Sequence, residues 1–249
     1  MPTARRQTRF LLLRFSLEFV VIILGVMVSL HFQGLRDAEV ATEMKDQTLQ
    51  QLIRVISDDL QQIDKFIVLQ ETSLDHASRL ELVMKGESLL EEDSCLYSLS
   101  HVGRALRSFF PQQGTFNQLV SSDLVKVIDS PELKTRLFKL YNEDLLRHDV
   151  HTKEYDQFFL RFNYDLTRNF FLEDSWDLDS APVTVHEYAF NSAYFFSDGL
   201  RADLIEARSS MRNYIRELVY LESEFEALRQ LCAEEVSMPL DSLGLSSSP

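Results

Sequence analysis

An apolar run from Phe15 to Phe32 constrains this chain more than any other feature of its sequence. The run reads FSLEFVVIILGVMVSLHF and contains a single carboxylate, that of Glu18; the preceding leucines extend the apolar stretch back to Phe10. At about 1.5 Å per residue, a helix of this length crosses a hydrocarbon layer of roughly 30 Å. The sequence therefore predicts a transmembrane helix over residues 15–32, in contact with a lipid bilayer.

Positive charge is concentrated on one side of this run. Residues 1–14 contain four arginines and no acid, whereas the stretch QGLRDAEVATEMKD after the run mixes both signs. Because basic flanks stay in the cytoplasm, residues 1–14 are predicted to be a cytoplasmic N-terminus and the rest to be exported. A cleaved signal peptide is the alternative interpretation. The run is long for one and lacks a small-residue cleavage site at its end, which favours an uncleaved anchor.

Acidic residues dominate the predicted exported part. The chain has 39 Asp and Glu against 25 Lys and Arg, a formal net charge of −14, although its first 35 residues are net positive. The remainder is therefore strongly acidic and repels both nucleic acid and anionic lipid headgroups. This charge excludes DNA or RNA as a partner.

The exported part has the pattern of an all-α protein. Seven glycines and six prolines interrupt the whole chain, and apolar residues recur at steps of three and four without strand-like alternation. Four such stripes predict four packed antiparallel helices with coiled-coil-like seams after the transmembrane helix. The stripes run from Leu49 to Ala77 with Gln70 as a polar interruption, from Cys95 to Phe109, from Tyr141 to Leu166 and from Leu200 to Cys232.

Glycine, proline and capping residues set the predicted helix boundaries. Gly86 separates the first exported helix from the second, which the PQQG sequence at 111–114 ends. Ser130 followed by Pro131 is typical of a helix N-terminus. The last helix is predicted to begin near Asp198 or up to two turns earlier, after an aperiodic loop at 173–185.

Three regions follow the transmembrane helix in this interpretation. Residues 33–48 place Glu39, Thr42 and Asp46 at seam positions, so they are expected to form a helical stalk that buries no face and lifts the bundle roughly 20 Å off the bilayer. Residues 49–237 form the helical bundle domain. The polar, unpatterned residues 238–249 are expected to be a disordered tail.

The N-terminal sequence resembles the signature of an uncharacterised bacterial single-pass membrane protein family, a domain of unknown function. That signature reads Gly-Glu, an apolar run, Gly-Ile and then ALQINNW. Here Glu18 is followed after six residues by Gly25, and Ser29 and Leu30 match the small residue and the leucine, while QGL replaces the polar pair and the tryptophan. The stretch GTFNQLVSSDLVKVIDSPELKTRLFKLYN resembles the family's middle section. The resemblance implies an N-terminal anchor with a helical exported domain in a bacterial inner membrane, and no chemistry.

Glu18, Gly25 and Ser29 form a narrow stripe on the predicted transmembrane helix. Gly25 and Ser29 follow Glu18 by seven and eleven residues, which places each of them within roughly 20° of Glu18 around the helix. A small-xxx-small pair lets a second helix approach closely and hides a carboxylate from lipid. The stripe predicts self-association or docking to another membrane protein. Two alternatives remain: Glu18 reaches the cytoplasmic interface or pairs with Arg14, or it titrates as a proton carrier.

His148, His151 and Glu154 give the spacing H-x-x-H-x-x-E along one helix, which can offer two or three ligands to zinc. His148 also falls on the apolar stripe of its helix. A hydrogen-bonded core histidine is the commoner occupant of such a position, so no metal site is assigned, and no cofactor is expected.

Cysteines and paired phenylalanines suggest core positions rather than chemistry. Cys95 and Cys232 lie on different seams and, by the rise of their helices, on the order of 20 Å apart, too far for a disulfide. Both are interpreted as buried free thiols. Four pairs of adjacent phenylalanines, at 109–110, 158–159, 170–171 and 195–196, fill the core, or else mark a groove if one member of each is exposed on a common face.

The sequence contains no glycine-rich phosphate loop, nucleophile elbow or H-E-x-x-H motif. The leading hypothesis is a non-enzymatic, membrane-anchored interaction or scaffolding protein whose partner is another copy or a neighbouring membrane protein. One alternative is an accessory subunit of an ion-coupled membrane complex in which Glu18 titrates. The other is a helical bundle that senses a ligand bound among the phenylalanines.

Overall fold

The computed structural model describes residues 4–170 and 190–237, with side chains from Glu18 onward. Within these ranges the secondary structure consists of helices and turns without strands, which confirms the all-α prediction. The predicted loop at 173–185 and the predicted tail at 238–249 lie outside the described residues. So do the side chains of the basic N-terminus.

The first helix, α1, runs from Ala4 to Met84 without a break, 81 residues in all. Apolar side chains are exposed along its first part, from Phe19 to Val40. Burial begins at Lys45 and Thr48, inside the range that the sequence analysis assigns to the stalk, because other helices already cover α1 there. One helix thus includes both an exposed apolar segment and a principal helix of the bundle.

Six further helices complete the described chain; one starts at the predicted cap Ser130, and the last starts at the predicted Asp198 with Ser197 as its cap. The hydroxyl of Ser130 accepts a hydrogen bond from the amide of Leu133, and that of Ser197 accepts one from Leu200. A π-helical turn at 140–144 joins the fourth helix to the fifth without a break. The helices are α2 (Glu92–Gly103), α3 (Gly114–Ser121), α4 (Pro131–Lys139), α5 (Leu145–Phe170), α6 (Ser192–Phe195) and α7 (Asp198–Glu235).

The last helix packs antiparallel along α1. Lys45 near the start of the buried part of α1 meets Glu235 at the end of α7, while Glu81 near the end of α1 meets Arg208 near the start of α7. This pairing buries the two longest stripes against each other, and Ile53, Leu218 and Leu228 are among their fully covered residues.

The fifth helix also runs antiparallel to α7, which makes it parallel to α1. Asp144 lies beside Tyr220 at one end of this pair, and Arg161 lies beside Asp203 toward the other. The short α2 folds back along α1. Helices α1, α2, α4 with α5, and α7 therefore form the predicted four-part bundle.

The second helix ends earlier than the sequence analysis predicts. α2 stops at Gly103, a 3-10 turn follows at 104–106, and residues 107–113, which we call the crossing segment, are not helical. Phe109 in this segment is completely buried. Apolar spacing could not distinguish a buried extended residue from a helical one here, because both place phenylalanine in the core.

Candidate functional site

The crossing segment brings unpaired backbone groups into the core of the bundle, and polar side chains from α1 satisfy them. Asp59, Gln70 and Ser73 are all completely buried. They follow the three-and-four spacing of a heptad seam, with apolar residues such as Ile63 and Phe66 between them. We call these three residues the polar ladder.

Each member of the polar ladder binds a different part of the chain from the last turn of α2 to the crossing segment. Ser73 donates to the carbonyl of His101 at 2.8 Å. The side-chain amide of Gln70 donates to two backbone carbonyls, those of Ala105 and Arg107. Because buried backbone groups need hydrogen-bond partners, the polar ladder determines where the nonhelical chain can cross the core.

Asp59 holds the far end of the crossing segment. Its carboxylate accepts from the backbone amide of Gln112 at 3.1 Å and from the Gln112 side chain at 3.3 Å. Burial raises the pKa of Asp59 to about 6, against the lowering effect of these two hydrogen bonds. The carboxyl group is therefore poorly solvated when it ionises.

Tyrosines from α5 and α7 contact the crossing segment and the 3-10 turn that precedes it. The hydroxyl of Tyr155 lies 2.6 Å from Oε1 of Gln70 and 2.7 Å from the Ala105 carbonyl. The hydroxyl of Tyr214 accepts from the Phe109 amide at 2.7 Å, and the two tyrosine rings stack with centroids 4.5 Å apart. Burial raises the pKa of both phenols, so they act as neutral hydrogen-bonding groups.

His148 is part of this core arrangement. It is 2 % exposed, with Nε2 at 3.1 Å from the Phe109 carbonyl and Nδ1 at 2.9 Å from Oε1 of Glu217. The exposed His151, one turn further along α5, meets the other oxygen of Glu217 at 3.2 Å. One carboxylate of α7 thus joins both predicted histidines, and His148 anchors the crossing segment.

Glu154, the third candidate metal ligand, lines a cleft of about 700 Å³ between α5 and α7 together with His151. In the side chains described from residue 18 onward, no three histidine, cysteine, aspartate or glutamate residues are placed to hold a metal ion. The cleft mixes both signs of charge and includes Arg147, Arg216 and Glu206. It is a polar channel along the bundle surface.

A second histidine pair lies between α1 and α2. The rings of His76 and His101 stack with centroids 4.2 Å apart, and the Tyr97 ring meets His101 edge-on. Nδ1 of His76 is 3.1 Å from the Ser98 hydroxyl. The pKa of His101 is lowered to about 4, chiefly by burial and then by the neighbouring charges of His76 and Arg104.

The predicted association stripe lies on the exposed apolar part of α1. Glu18, Gly25 and Ser29 are all at its surface, and a Cβ atom added at Gly25 would meet nothing within 4 Å. The stripe has room for a second helix against it.

The remaining candidates lie in or beside the core. Cys95 and Cys232 are both buried free thiols, as predicted. Phe158 and Phe159 are both buried, whereas Phe110 and Phe196 are the exposed members of their pairs. Phe171 is outside the described residues.

No protein-family model matches this sequence, and the searches of curated proteins and of solved structures found no similar protein. The family resemblance of the N-terminal region therefore stays a prediction.

Sequence reasoning missed Asp59, Tyr214 and Glu217. A signal for Asp59 was present in the sequence, because a second seam runs along α1 beside the one identified. It contains Leu52, Ile56, Asp59 and Ile63. A helix with neighbours on two sides carries two such seams. No local pattern indicates Glu217, whose histidine partners are on another helix.

Proposed function

We propose that this chain is a non-enzymatic interaction or scaffolding protein, anchored in a membrane by the apolar part of α1. The observation that carries the proposal is α1 itself. It is long and apolar enough to cross a membrane, its most apolar stretch is entirely exposed, and the same helix continues into the bundle. Exposed apolar patches of this size mark contact with lipid or protein.

The proposed orientation places residues 1–14 in the cytoplasm and the bundle outside it, in a bacterial inner membrane. Support comes from the four arginines before Glu18 and from the family resemblance described above. A reporter active only outside the cytoplasm, fused after residue 237, should be active, and the purified chain should retain its first residues by mass spectrometry. A cytosolic reporter or a mature chain lacking the apolar segment would overturn the anchor.

The chemistry of the core supports a role without catalysis. His148 and the polar ladder are engaged in holding the crossing segment, and both thiols are buried. Groups that are fixed by several hydrogen bonds inside a packed bundle are placed for structure, since substrates reach reactive groups through loops and clefts.

We propose further that the stripe of Glu18, Gly25 and Ser29 is the contact for a second transmembrane helix, either another copy or a different membrane protein. A small-residue face allows backbones to approach closely, and helix contact removes a carboxylate from lipid. The open space at Gly25 supports this role.

Crosslinking in native membranes tests the contact. Gly25→Leu should reduce the crosslinked species several-fold, while Val20→Leu, which adds bulk to the opposite face of the same helix, should leave it unchanged. Equal crosslinking in both variants would show that the stripe is not the interface.

The lone carboxylate in the apolar run favours one second candidate, an accessory subunit of an ion-coupled complex in which Glu18 titrates. Glu18→Gln distinguishes the two. If the chain is a scaffold, the variant should keep its complex and the activity of that complex. If Glu18 carries protons, the variant should keep the complex and lose the ion-coupled activity.

A further inference from the structure

His148 lies between two hydrogen-bond acceptors in the core of the bundle. Its Nδ1 is 2.9 Å from a carboxylate oxygen of Glu217, and its Nε2 is 3.1 Å from the backbone carbonyl of Phe109. Neither an ionised carboxylate nor a carbonyl can donate a hydrogen bond, and a neutral imidazole carries only one N–H group. Both contacts are therefore hydrogen bonds only when the ring carries two protons and a positive charge.

Thr152 offers the neutral ring a different arrangement. Its hydroxyl lies 3.2 Å from the same Nε2 of His148 and is also hydrogen-bonded to the hydroxyl of Tyr214. When Nε2 loses its proton, it can accept a hydrogen bond from Thr152, but the Phe109 carbonyl then faces a lone pair instead of a donor. Because a buried carbonyl without a donor is costly, we expect it to move away from the ring.

The carbonyl concerned lies in the middle of the crossing segment. The polar ladder holds the segment near its two ends, at Arg107 and Gln112. The middle is held from α5 and α7 through Phe109, whose amide donates to the Tyr214 hydroxyl and whose carbonyl contacts His148. Loss of the His148 contact therefore loosens the segment at Phe109 while its two ends stay bound.

Protons reach His148 through Glu217 and the cleft between α5 and α7. The Glu217 side chain is 18 % exposed, and its second oxygen lies 3.2 Å from Nδ1 of His151, whose side chain is 55 % exposed. A proton can enter or leave through these two residues. The other charged or titratable groups on the elements around His148 are Asp144, Arg147 and Asp156, Tyr214 and Arg216 of α7, Arg107 of the crossing segment and Asp59 of α1.

We propose that His148 is a pH switch for the crossing segment. The charged ring binds both Glu217 and the Phe109 carbonyl and fixes the segment against α5 and α7, whereas the neutral ring releases the carbonyl. The switch gives the bundle a response to acidity that the scaffolding role does not require. Because it concerns residues of the bundle alone, it holds or fails independently of the membrane anchor.

The test measures hydrogen exchange of residues 107–113 by mass spectrometry, with the full chain in nanodiscs, between about pH 5 and about pH 9. Dividing each rate by the intrinsic exchange rate at the same pH leaves the protection that structure provides. Protection should fall on the order of tenfold as the pH rises, because one hydrogen bond from a charged group is lost. NMR of ring-labelled histidine should show His148 losing its Nε2 proton over the same pH range.

Two variants and two controls isolate the ring. His148→Gln cannot gain or lose a proton, so protection should no longer change with pH. Glu217→Gln keeps an acceptor but removes the charge opposite the ring, and should move the fall in protection to lower pH. His151→Gln, at the exposed histidine on the same carboxylate, should retain the fall, and so should Asp59→Asn, at the other titrating group that contacts the segment.

Four results would overturn the proposal. They are protection that stays constant over the pH range in both the wild type and Glu217→Gln, a fall that persists in a folded His148→Gln variant, a fall at the same pH in Glu217→Gln as in the wild type, and a fall that Asp59→Asn abolishes. If His148→Gln does not fold, the Glu217→Gln and Asp59→Asn variants still decide the outcome.

Discussion

Nζ of Lys45 lies 3.0 Å from Oε1 of Glu235, and both side chains are 4 % exposed. The same carboxylate accepts from the backbone amides of Asp129 at 2.7 Å and Ser130 at 3.0 Å. One acid at the end of α7 thus joins α1, α7 and the start of α4. Burial acts to raise the pKa of Glu235, but these hydrogen bonds outweigh it and leave the pKa lowered.

Glu235→Ala should lower the free energy of unfolding by about 2 kcal/mol, because it removes the acceptor of the Asp129 and Ser130 amides and leaves the buried Lys45 ammonium group to Asp46, 3.3 Å away. Urea denaturation of the detergent-solubilised chain measures the change. Glu234→Ala, at the exposed neighbouring position, should cost less than about 0.5 kcal/mol. Equal midpoints for the two variants would contradict a stabilising role for the ion pair.

Asp59→Asn should make the stability of the protein less dependent on pH, although its amide nitrogen cannot accept one of the two hydrogen bonds from Gln112. The folded pKa of about 6 is above the ordinary value of 3.8, so the folded state binds this proton more tightly than the unfolded state. The stabilising contribution is complete below about pH 4 and is lost as pH rises through about 6, up to roughly 3 kcal/mol. The asparagine variant should lack this loss, and thermal unfolding between about pH 4 and pH 8 measures it. Asp37→Asn, at an exposed residue of α1 remote from Asp59, should retain the wild-type profile.

His101 should give the opposite pH dependence. Its folded pKa of about 4 is below the ordinary 6.5, so the folded state disfavours the charged ring. Its contribution is present above about pH 6.5 and is lost as pH falls through about 4, by at most about 3 kcal/mol. His101→Phe should remove this loss, which the same unfolding series would detect. An acid transition identical to that of the wild type would refute the assignment.

Gly103→Ala should destabilise the packing of α2 on α5. A Cβ atom at Gly103 would clash with Oδ1 of Asn163, whose amide donates to the Gly103 carbonyl at 2.9 Å. The variant must displace Asn163 and lose this bond, at a cost of about 1–3 kcal/mol. Thermal unfolding measures the effect. Gly34→Ala, where an added Cβ meets nothing within 4 Å, should not lower the melting temperature.

The fold could be predicted from sequence because its signals are local. Apolar residues at helical spacing gave the all-α class, and the cap at Ser130 identified the start of α4 from a few neighbouring residues. The crossing segment was missed for the opposite reason. Its conformation depends on hydrogen bonds with Gln70 and Tyr214, which are far from it in sequence.

The candidate sites were predictable only where one helix supplied all the residues. His148 and His151 were found by their spacing, but their common partner Glu217 belongs to α7 and left no trace in that pattern. The stacked pair of His76 and His101 depends on the approach of α2 to α1. Sequence spacing does not show which residue of one helix faces which residue of another.

The continuity of α1 also has a mechanical consequence. A helix without a break or proline between Ala4 and Met84 resists torsion, since each turn is hydrogen-bonded to the next. A rotation of α1 at Ser29 would therefore be transmitted to Asp59, about 45 Å further along the axis, where the carboxylate holds Gln112. The helix that would transmit the rotation also carries the side chains that hold the bundle together, because both belong to α1.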